Sequence, residues 1–328
     1  MPSPERRKSQ TEQQDHGQEA IEALAERLHL HDQYLAQIKV LYQTGLLENF
    51  PVDPDKDRYM PEQGIVGVDG QEYSLPSYED ILNKLKDPEK RKIIEKKAEQ
   101  GFTQLRLVPF ALPLSIQIQR YKETLLKVHQ ESGIKATDDS TLELNTEDPL
   151  YIWQDLIQCD NPQTDPDKQM EYQVTNYDGQ TKDQRGGKYK SELLKQDPSN
   201  AWQFLLLENL PDLPAEGKGQ TINGRKQFEA NQSPKDYLKA LQTNPQYQNE
   251  QGLTPEAALS DWLTHLQEDH TAIDDYQGKG KANYLVGQFV SGRVPAFDWR
   301  RNDRQPNLGG GNPDRRDSYD GFRSVARL

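Results

Sequence analysis

GRVPAFDWRRNDRQPNLGGGNPDRRDSYDGFRSVARL, residues 292–328, has a composition unlike that of the chain before it. It contains eight Arg and five Asp but no Lys, Glu or Met, although Lys and Glu are frequent up to Lys281. Asn, Asp, Ser, Tyr and three consecutive glycines lie between Trp299 and a closing GFRSVARL. Such a mixture is typical of surfaces that bind other molecules. We therefore expect the function of the chain to reside in this segment.

The charge balance limits which partners the chain can attract. The 328 residues carry a net charge of −13; eight Arg and five Asp give residues 292–328 a charge of +3, which leaves −16 for the rest. An acidic body repels nucleic acid and anionic membrane surfaces at long range. The hydrophobic content is only 33%, but 15 Tyr, 8 Phe and 4 Trp argue against a wholly disordered chain. This length suits one large domain or two ordinary ones.

Cysteine use and hydropathy indicate the compartment. Cys159 is the only cysteine, so no intrachain disulfide can form, which suits a reducing compartment. No stretch approaches 18 consecutive apolar residues, and the N-terminal residues contain no apolar run. Neither a membrane span nor a secretory signal is predicted. We expect a cytoplasmic protein without membrane insertion, with association with a virion as the alternative.

The spacing of apolar residues predicts three regions: a disordered tail over 1–18, a mainly helical accessory region over 19–142, and a further domain over 143–328. From Gln18 to Thr44 one helix is expected, ended by Gly45, with His31 in a position of its apolar stripe. The stripe consists of Ile21, Leu24, Leu28, Leu35, Ile38 and Tyr42. Such a stripe suits a coiled-coil or helical-hairpin contact, and so an assembly role.

Local signals predict the remaining helices and strands. A hairpin over Gly64–Ser77 turns at residues 68–70, and Ser77 caps a helix followed by a charge-rich run to Gly101. Ser233-Pro234 and Thr254-Pro255 each combine a capping hydroxyl with proline at the first helical position. A further helix is expected over 114–129, and strands over 105–110, 150–157, 201–208, 283–290 and 322–328. The continuous apolar run at 201–208 predicts a strand buried on both faces.

Few residues have the spacing that catalysis or metal binding requires. Cys159 has no histidine near it in sequence, and His265 and His270 are five residues apart, so they do not share a helical face. The three glycines at 309–311 are not followed by Lys-Ser or Lys-Thr, which excludes a P-loop. No catalytic residue, metal or other cofactor is predicted. Nucleic-acid binding through the Arg residues near Phe297, Trp299 and Tyr319 stays an alternative that the interleaved Asp residues make less favourable.

The C-terminal segment resembles the variable end of the variable proteins of diversity-generating retroelements. The resemblance is carried by about thirty residues: Trp299, Arg304-Gln305, Leu308, Pro313-Asp314, Arg316, Gly321-Phe322-Arg323, Val325 and Arg327. It implies a C-terminal C-type lectin fold of the subtype shared with formylglycine-generating enzymes. Those enzymes use cysteines in the C-terminal part of this domain, and this chain has none after Cys159. An enzyme of that type is therefore the weaker alternative, and we expect a protein that is not an enzyme.

The resemblance also implies how the segment divides into changing and constant positions. In that family, mutation of adenines in AAC and AAT codons reaches Asn, Asp, Ser, Gly, Arg, Tyr and Phe, but not Lys, Glu, Gln, Met or Trp. Gln305 and Trp299, the only Gln and Trp of the segment, fall at constant positions. The expected ligand-binding surface, whose side chains project to solvent, is Phe297, Asp298, Arg300, Arg301, Asn302, Asn307, Gly309, Gly310, Gly311, Arg315, Asp317, Ser318, Tyr319 and Asp320. The expected frame is Trp299, Gln305, Leu308, Arg316, Gly321, Phe322 and Arg323.

Taken together, the sequence predicts an α+β protein. A helical N-terminal accessory region should precede a lectin-like domain with a mixed or antiparallel sheet, two helices and long loops, whose variable region spans about 292–328. The predicted function is binding of a ligand of unknown identity, expected to be a protein, through a hypervariable surface diversified by a retroelement.

Overall fold

The computed structural model describes residues 17–56, 58 and 60–328, so most of the predicted tail over 1–18 lies outside the described residues. The helices are α1 (17–27), α2 (Leu30–Gln43), α3 (Tyr78–Lys84), α4 (Pro88–Glu99), α5 (Leu114–Glu131), α6 (Lys182–Arg185), α7 (Lys190–Gln196), α8 (Pro234–Thr243) and α9 (Pro255–Glu268). Within this described part, no helix has the length and apolar character needed to cross a membrane.

The strands are short and distributed along the whole chain. They are β1 (Glu48–Phe50), β2 (Glu62–Val66), β3 (Glu72–Ser74), β4 (Phe102–Val108), β5 (Ile134–Ala136), β6 (Thr141–Leu142), β7 (Tyr151–Ile152), β8 (Glu171–Tyr172), β9 (Gln203–Glu208), β10 (Thr221–Ile222), β11 (Arg225–Lys226), β12 (Glu250–Gly252), β13 (Thr271–Ala272), β14 (Ala282–Tyr284), β15 (Gln288–Phe289), β16 (Val294–Arg300), β17 (Gln305–Gly311), β18 (Asp320–Phe322) and β19 (Ser324–Arg327). Because helices and mostly antiparallel sheets occur together, the predicted α+β class is confirmed.

A four-stranded antiparallel sheet forms the centre of the molecule, in the order β12-β19-β9-β4. Every residue of β9 is buried, as the apolar run at 201–208 predicted. Helices α2 and α9 both contact β4, and α5 packs along α9. The last strand of the chain, β19, therefore lies inside the sheet, between β9 and β12.

A five-stranded sheet in the order β18-β14-β16-β17-β7 carries most of the C-terminal segment. Its longest pair is the antiparallel hairpin of β16 and β17, in which Phe297 lies opposite Leu308 and Asp298 opposite Asn307. The chain leaves this sheet after Phe322 and enters the four-stranded sheet at Ser324. Arg323 is therefore the single residue between β18 of the five-stranded sheet and β19 of the four-stranded sheet.

The hydrophobic core is continuous across the predicted domain boundary at residue 142. Strand β4 pairs with β9 along its length, and α5 packs against α9. Tyr121 on α5 meets Trp262 on α9 and Phe297 on β16, with ring centroids 6.2 and 5.8 Å apart. One cluster of buried side chains extends from Ile21 to Leu328. Residues before 142 thus supply part of the core on which the C-terminal segment rests.

The prediction of one continuous helix over Gln18–Thr44 is wrong. The helix breaks at Leu28 and His29, where His29 adopts a left-handed conformation with φ 49°. After the break the chain buries a different face: Leu35 and Tyr42 of the predicted stripe are 51% and 49% exposed. Leu30, Gln37, Val40 and Leu41 are buried instead. Burial of Gln37 is compensated because its side-chain amide accepts a hydrogen bond from the Leu107 N–H (3.3 Å) and donates one to the Thr264 hydroxyl (3.2 Å).

The predictions that rest on caps and turns are confirmed. Ser77, Ser233 and Thr254 each accept a hydrogen bond from the backbone of the helix that follows, and Ser77 and Ser233 form complete capping boxes. Strands β2 and β3 form the predicted hairpin, and the predicted helix over 114–129 is α5. The charge-rich run to Gly101 forms a second helix, α4, because Asp87 caps it and Pro88 occupies its first position.

Three predicted strands are shorter or interrupted. Of 150–157 only Tyr151 and Ile152 are extended, and a 3-10 turn follows at Gln154–Leu156. The strand predicted over 283–290 is split into β14 and β15, since Gly287 between them has a φ of 91° that an extended strand does not allow. The strand predicted over 322–328 is divided at Arg323 between two sheets. The apolar pattern did not reveal where these strands are interrupted, and in 150–157 it did not identify burial either, because Tyr151 and Ile157 are 46% and 44% exposed.

Candidate functional site: the two faces of the C-terminal hairpin

Alternation along β16 and β17 separates the predicted positions into two faces. The inner face bears Phe297, Trp299 and Leu308, each fully buried. The ring of Phe297 packs edge-to-face on Trp262, with centroids 4.5 Å apart. Trp299 and Leu308 are therefore buried, as residues of the expected frame should be. The expectation that Phe297 projects to solvent is wrong, because its place in the alternation directs its ring into the core.

The outer face is polar and is built around Asp298. We define it as the side of the five-stranded sheet that bears Asp298, Arg300, Asn307, Gly309 and Asp320. The Asp298 carboxylate accepts hydrogen bonds from Asn307 Nδ2 (2.9 Å) and Arg300 Nε (3.0 Å). Burial raises the pKa of Asp298, and the Arg300 guanidinium opposes that rise. The expectation that Asp298 and Asn307 project to solvent is wrong, because they are 3% and 2% exposed and form the floor of this face.

One end of the outer face is closed by a second hydrophobic cluster. This cluster contains Tyr237 of α8 together with Tyr284, Val294 and Phe322 of the sheet. The Tyr284 hydroxyl lies 3.0 Å from Asp320 Oδ2. Burial raises the pKa of Asp320, and the bonds from Tyr284 and the charge of Arg315 oppose that rise. Tyr284 thus orients an acidic group of the predicted surface, although the sequence contained no signal for its role.

The three consecutive glycines lie within β17 and do not form a phosphate loop. A Cβ added to Gly310 would lie 2.6 Å from the Trp153 ring, and one added to Gly311 would lie 2.4 Å from the Tyr284 ring. A Cβ on Gly309 would meet only the side chain of Asn307, at 3.0 Å. Two of the three glycines are therefore required by their neighbours in this chain, and Gly309 leaves room on the outer face.

The loop between β17 and β18 supplies the most exposed of the predicted positions. Asn312 begins a turn, since its carbonyl accepts a hydrogen bond from the Arg315 N–H (3.0 Å). Arg315 then binds the Asp317 carboxylate at 2.7 Å. Ser318 is exposed, and Tyr319 is 54% exposed beside the ring of Tyr276. This loop therefore presents an aromatic ring and a guanidinium at the border of the outer face.

Arg301 and Asn302 lie in the turn that joins β16 to β17. The Arg301 guanidinium binds Asp275 Oδ2 at 2.6 Å and Asp138 at 3.3 Å. The backbone N–H of Asn302 donates to Gln277 Oε1 (2.8 Å). These two predicted positions contact the loop that follows β13, and the side chains of Asp138, Asp275 and Gln277 hold them there.

The predicted frame residues divide into buried and surface groups. Gly321, Phe322 and Arg323 are buried, and Arg323 binds Asp274 at 2.9 Å and the carbonyl of Leu210. Gln305 is only partly buried. The expectation that Arg316 belongs to the frame is not met, because its side chain is 58% exposed and lies 3.5 Å from Glu216 on the surface.

Carboxylates accompany most of the arginines of the segment. Six of the eight arginines of 292–328, a segment that the structure describes completely, lie within 4.0 Å of an Asp or Glu. The two others are Arg293, which donates to the Gly310 carbonyl and lies over Trp153, and Arg327, which donates to Asn200. The positive charge of the segment is therefore largely compensated on the molecule itself.

The residues weighed for other chemistry lie apart from this surface. Cys159 is buried, its thiol donates to the Leu156 carbonyl (3.3 Å), and burial raises its pKa. His265 lies 3.7 Å from Asp261 on its own helix, and burial lowers its pKa. Among the residues that the structure describes, no group of His, Cys, Asp and Glu could hold a metal ion.

Comparison with known proteins gives no family for this chain: neither a protein-family model nor a curated protein nor a solved structure matches it significantly. Its interpretation therefore depends on the segment's own geometry and on the resemblance carried by Trp299 to Arg327.

Proposed function

We propose that this chain is a ligand-binding protein whose C-terminal segment is a replaceable surface on a C-type lectin fold, diversified by a retroelement. The observation that carries the proposal is the division of the hairpin. Asp298, Arg300, Asn307 and Gly309 occupy the outer face, while Trp299 and Leu308 pack into the core. Exposed side chains beside this face, such as Arg315, Ser318 and Tyr319, can change without disturbing the core behind them.

The surroundings of the segment support the same proposal. Its two ends are held firmly, because β16 lies between two partner strands and β19 lies inside the four-stranded sheet. Between them, the loop of 312–319 carries exposed polar residues and Tyr319. A rigid support beneath an exposed Tyr, Arg and Ser surface is the arrangement that protein-binding paratopes use. We therefore propose a protein as the class of ligand.

The alternatives lack a comparable observation. Binding of nucleic acid requires arginines that are free to neutralise phosphates, whereas Arg300, Arg301, Arg315 and Arg323 are paired with carboxylates. An enzyme that uses a cysteine requires an accessible thiol, whereas Cys159 is buried. Neither alternative is therefore favoured as a function of this chain.

The decisive experiment is genetic. We expect a reverse transcriptase gene near the coding sequence, and a near-copy of the DNA for residues 292–328 that differs at adenines. Sequencing many copies of the gene from one population should show substitutions at exposed positions such as Arg315, Ser318 and Tyr319, and constancy at Trp299 and Leu308. Substitutions spread evenly along 292–328 would contradict the proposal.

A further inference from the structure

A cavity of about 200 Å³ lies against the four-stranded sheet, where residues of β9, β12 and β19 line it. Its wall is mainly apolar and includes Phe110, Tyr172, Leu193, Leu238, Leu241 and Val286. A cavity of about 150 Å³ with such a lining is large enough for benzene. The space therefore suits a single ring or a short aliphatic chain.

Arg327 provides the distinctive polar group of this cavity. Of residues 292–328, all of which the structure describes, only Arg327 lines it. Its guanidinium donates to Asn200 Oδ1 (2.8 Å) and is in no ion pair with a described carboxylate. A guanidinium has five N–H donors in a planar fork. Arg327 thus retains donors for a further acceptor, in contrast to Arg323, which is bound to Asp274.

The surroundings of Arg327 do not compensate its charge fully. Burial lowers the pKa of Arg327, and the negative charge of Asp197 opposes that decrease. Glu250 and Arg327 are the charged residues among those that line the cavity. The Glu250 carboxylate is already bound by Lys97 (2.6 Å) and Arg225 (2.7 Å), so Arg327 is the cation left to attract an anion. A locally positive site in an acidic protein favours an anion.

The cavity also contains a polar group without a partner. Gln203, at the start of β9, is 5% exposed and lines the cavity, and its Oε1 has no hydrogen-bond partner among the described residues. A buried amide left unpaired costs free energy that a bound polar group can recover. Apolar walls with a few polar groups in fixed places are the usual composition of small-molecule sites.

We propose that this cavity binds a small amphipathic carboxylate, with its ring or short chain against Leu238 and Leu241 and its carboxylate on Arg327. The site is separate from the outer face of the hairpin and does not depend on the function proposed for that face. A carboxylate matches the guanidinium fork with two parallel hydrogen bonds, and an apolar body of one ring matches the volume.

Benzoate and benzamide are the matched probes for this proposal, because they share one ring and differ in charge. Titration calorimetry on the full chain should show benzoate binding at least about 10-fold more tightly than benzamide, the size expected of hydrogen bonds to a charged group. Arg327→Gln should remove that preference and leave benzamide binding within about 2-fold of the original. Arg327→Lys, which retains the charge but not the planar fork of donors, should retain part of the preference for benzoate.

Arg293→Gln is the control, since Arg293 also lacks an ion pair among described residues but is exposed and does not line the cavity. It should leave both affinities unchanged. Leu241→Trp, which fills the cavity, should abolish binding of both probes while thermal unfolding verifies that the chain is folded. Equal affinity of the unaltered chain for benzoate and benzamide, no binding of either, or an equal loss from Arg293→Gln and Arg327→Gln would overturn the proposal.

Discussion

Two aromatic residues of the C-terminal segment, Phe297 and Tyr319, have opposite places in the fold. Phe297 and Tyr319 are both aromatic and only 22 residues apart, yet one is fully buried and the other is 54% exposed. Phe297 rests on Tyr121 and Trp262, while Tyr319 meets Tyr276 at a ring distance of 6.2 Å and lies beneath the Lys281 ammonium (5.8 Å). The comparison shows that buried and exposed positions are separated residue by residue within one short segment.

The largest effect should come from removing the buried ring. Phe297→Ala leaves a cavity between α5, α9 and β16, and such substitutions cost about 3–5 kcal/mol. Urea unfolding followed by tryptophan fluorescence would measure the loss. A cost below about 1 kcal/mol would mean that Phe297 is not part of the frame, and the comparison with Tyr319 would fail.

The buried ion pair of Arg323 and Asp274 should make stability depend on pH. Burial raises the pKa of Asp274 to about 7, with Arg323 opposing the rise, while an unfolded Asp titrates near 3.9. The folded state therefore holds the proton more tightly, so this contribution is present at low pH and is lost as the pH rises through about 7. At about 1.4 kcal/mol for each pKa unit, the loss is on the order of several kcal/mol.

Urea unfolding at a series of pH values between 4 and 8 would test this sign. The free energy of unfolding should fall more steeply with pH in the unaltered chain than in Asp274→Asn, which cannot titrate at this position. Equal slopes for the two proteins would show that Asp274 titrates as it does in the unfolded chain.

Two glycines of β17, Gly309 and Gly311, should differ in how well they tolerate a side chain. Gly311→Ala places a Cβ against the ring of Tyr284 and should cost about 1–3 kcal/mol, as overpacking does. Gly309→Ala places a Cβ 3.0 Å from the Asn307 amide rather than against an aromatic ring, and should cost less. Thermal unfolding of the two variants side by side gives the comparison. If Gly309→Ala is the more damaging, the outer face is not the replaceable one.

The smallest effect on stability should come from the exposed ring. Tyr319→Ala should change the free energy of unfolding by less than about 0.5 kcal/mol, as surface substitutions usually do. Under the proposed function it should nevertheless weaken binding to a protein ligand selected from a display library, since exposed Tyr residues are frequent anchors in binding surfaces. Stability lost together with binding would indicate a frame residue.

Short-range sequence signals were sufficient to predict several helices and strands. The hydroxyl and proline of Ser233-Pro234 and Thr254-Pro255 begin α8 and α9 because the cap bonds lie within the first turn. The apolar run at 201–208 predicted the buried strand β9 for a similar reason. The turn at Asn312 likewise depends only on its immediate neighbours.

Other features depend on contacts that are distant in sequence. The break at His29 and the burial of Gln37 follow from the packing of α2 on β4 and α9, and Gln37 bonds residues 70 and 227 positions away. Tyr276 and Tyr284 reach the candidate surface only because their segments lie beside the C-terminal one. No local pattern distinguishes them from other tyrosines.

The sequence alone determined which segment has an unusual composition, which helices have strong caps and which strand is wholly buried. These features depend only on residues that are close together in the chain. Only the tertiary structure decided which side of the segment faces solvent. Phe297 turned inward because α5 and α9 offer it aromatic partners, and Arg316 stayed outside with Glu216. The physical reason is that burial depends on what lies opposite a residue, and for this segment the opposite surfaces come from residues more than a hundred positions away as well as from near neighbours.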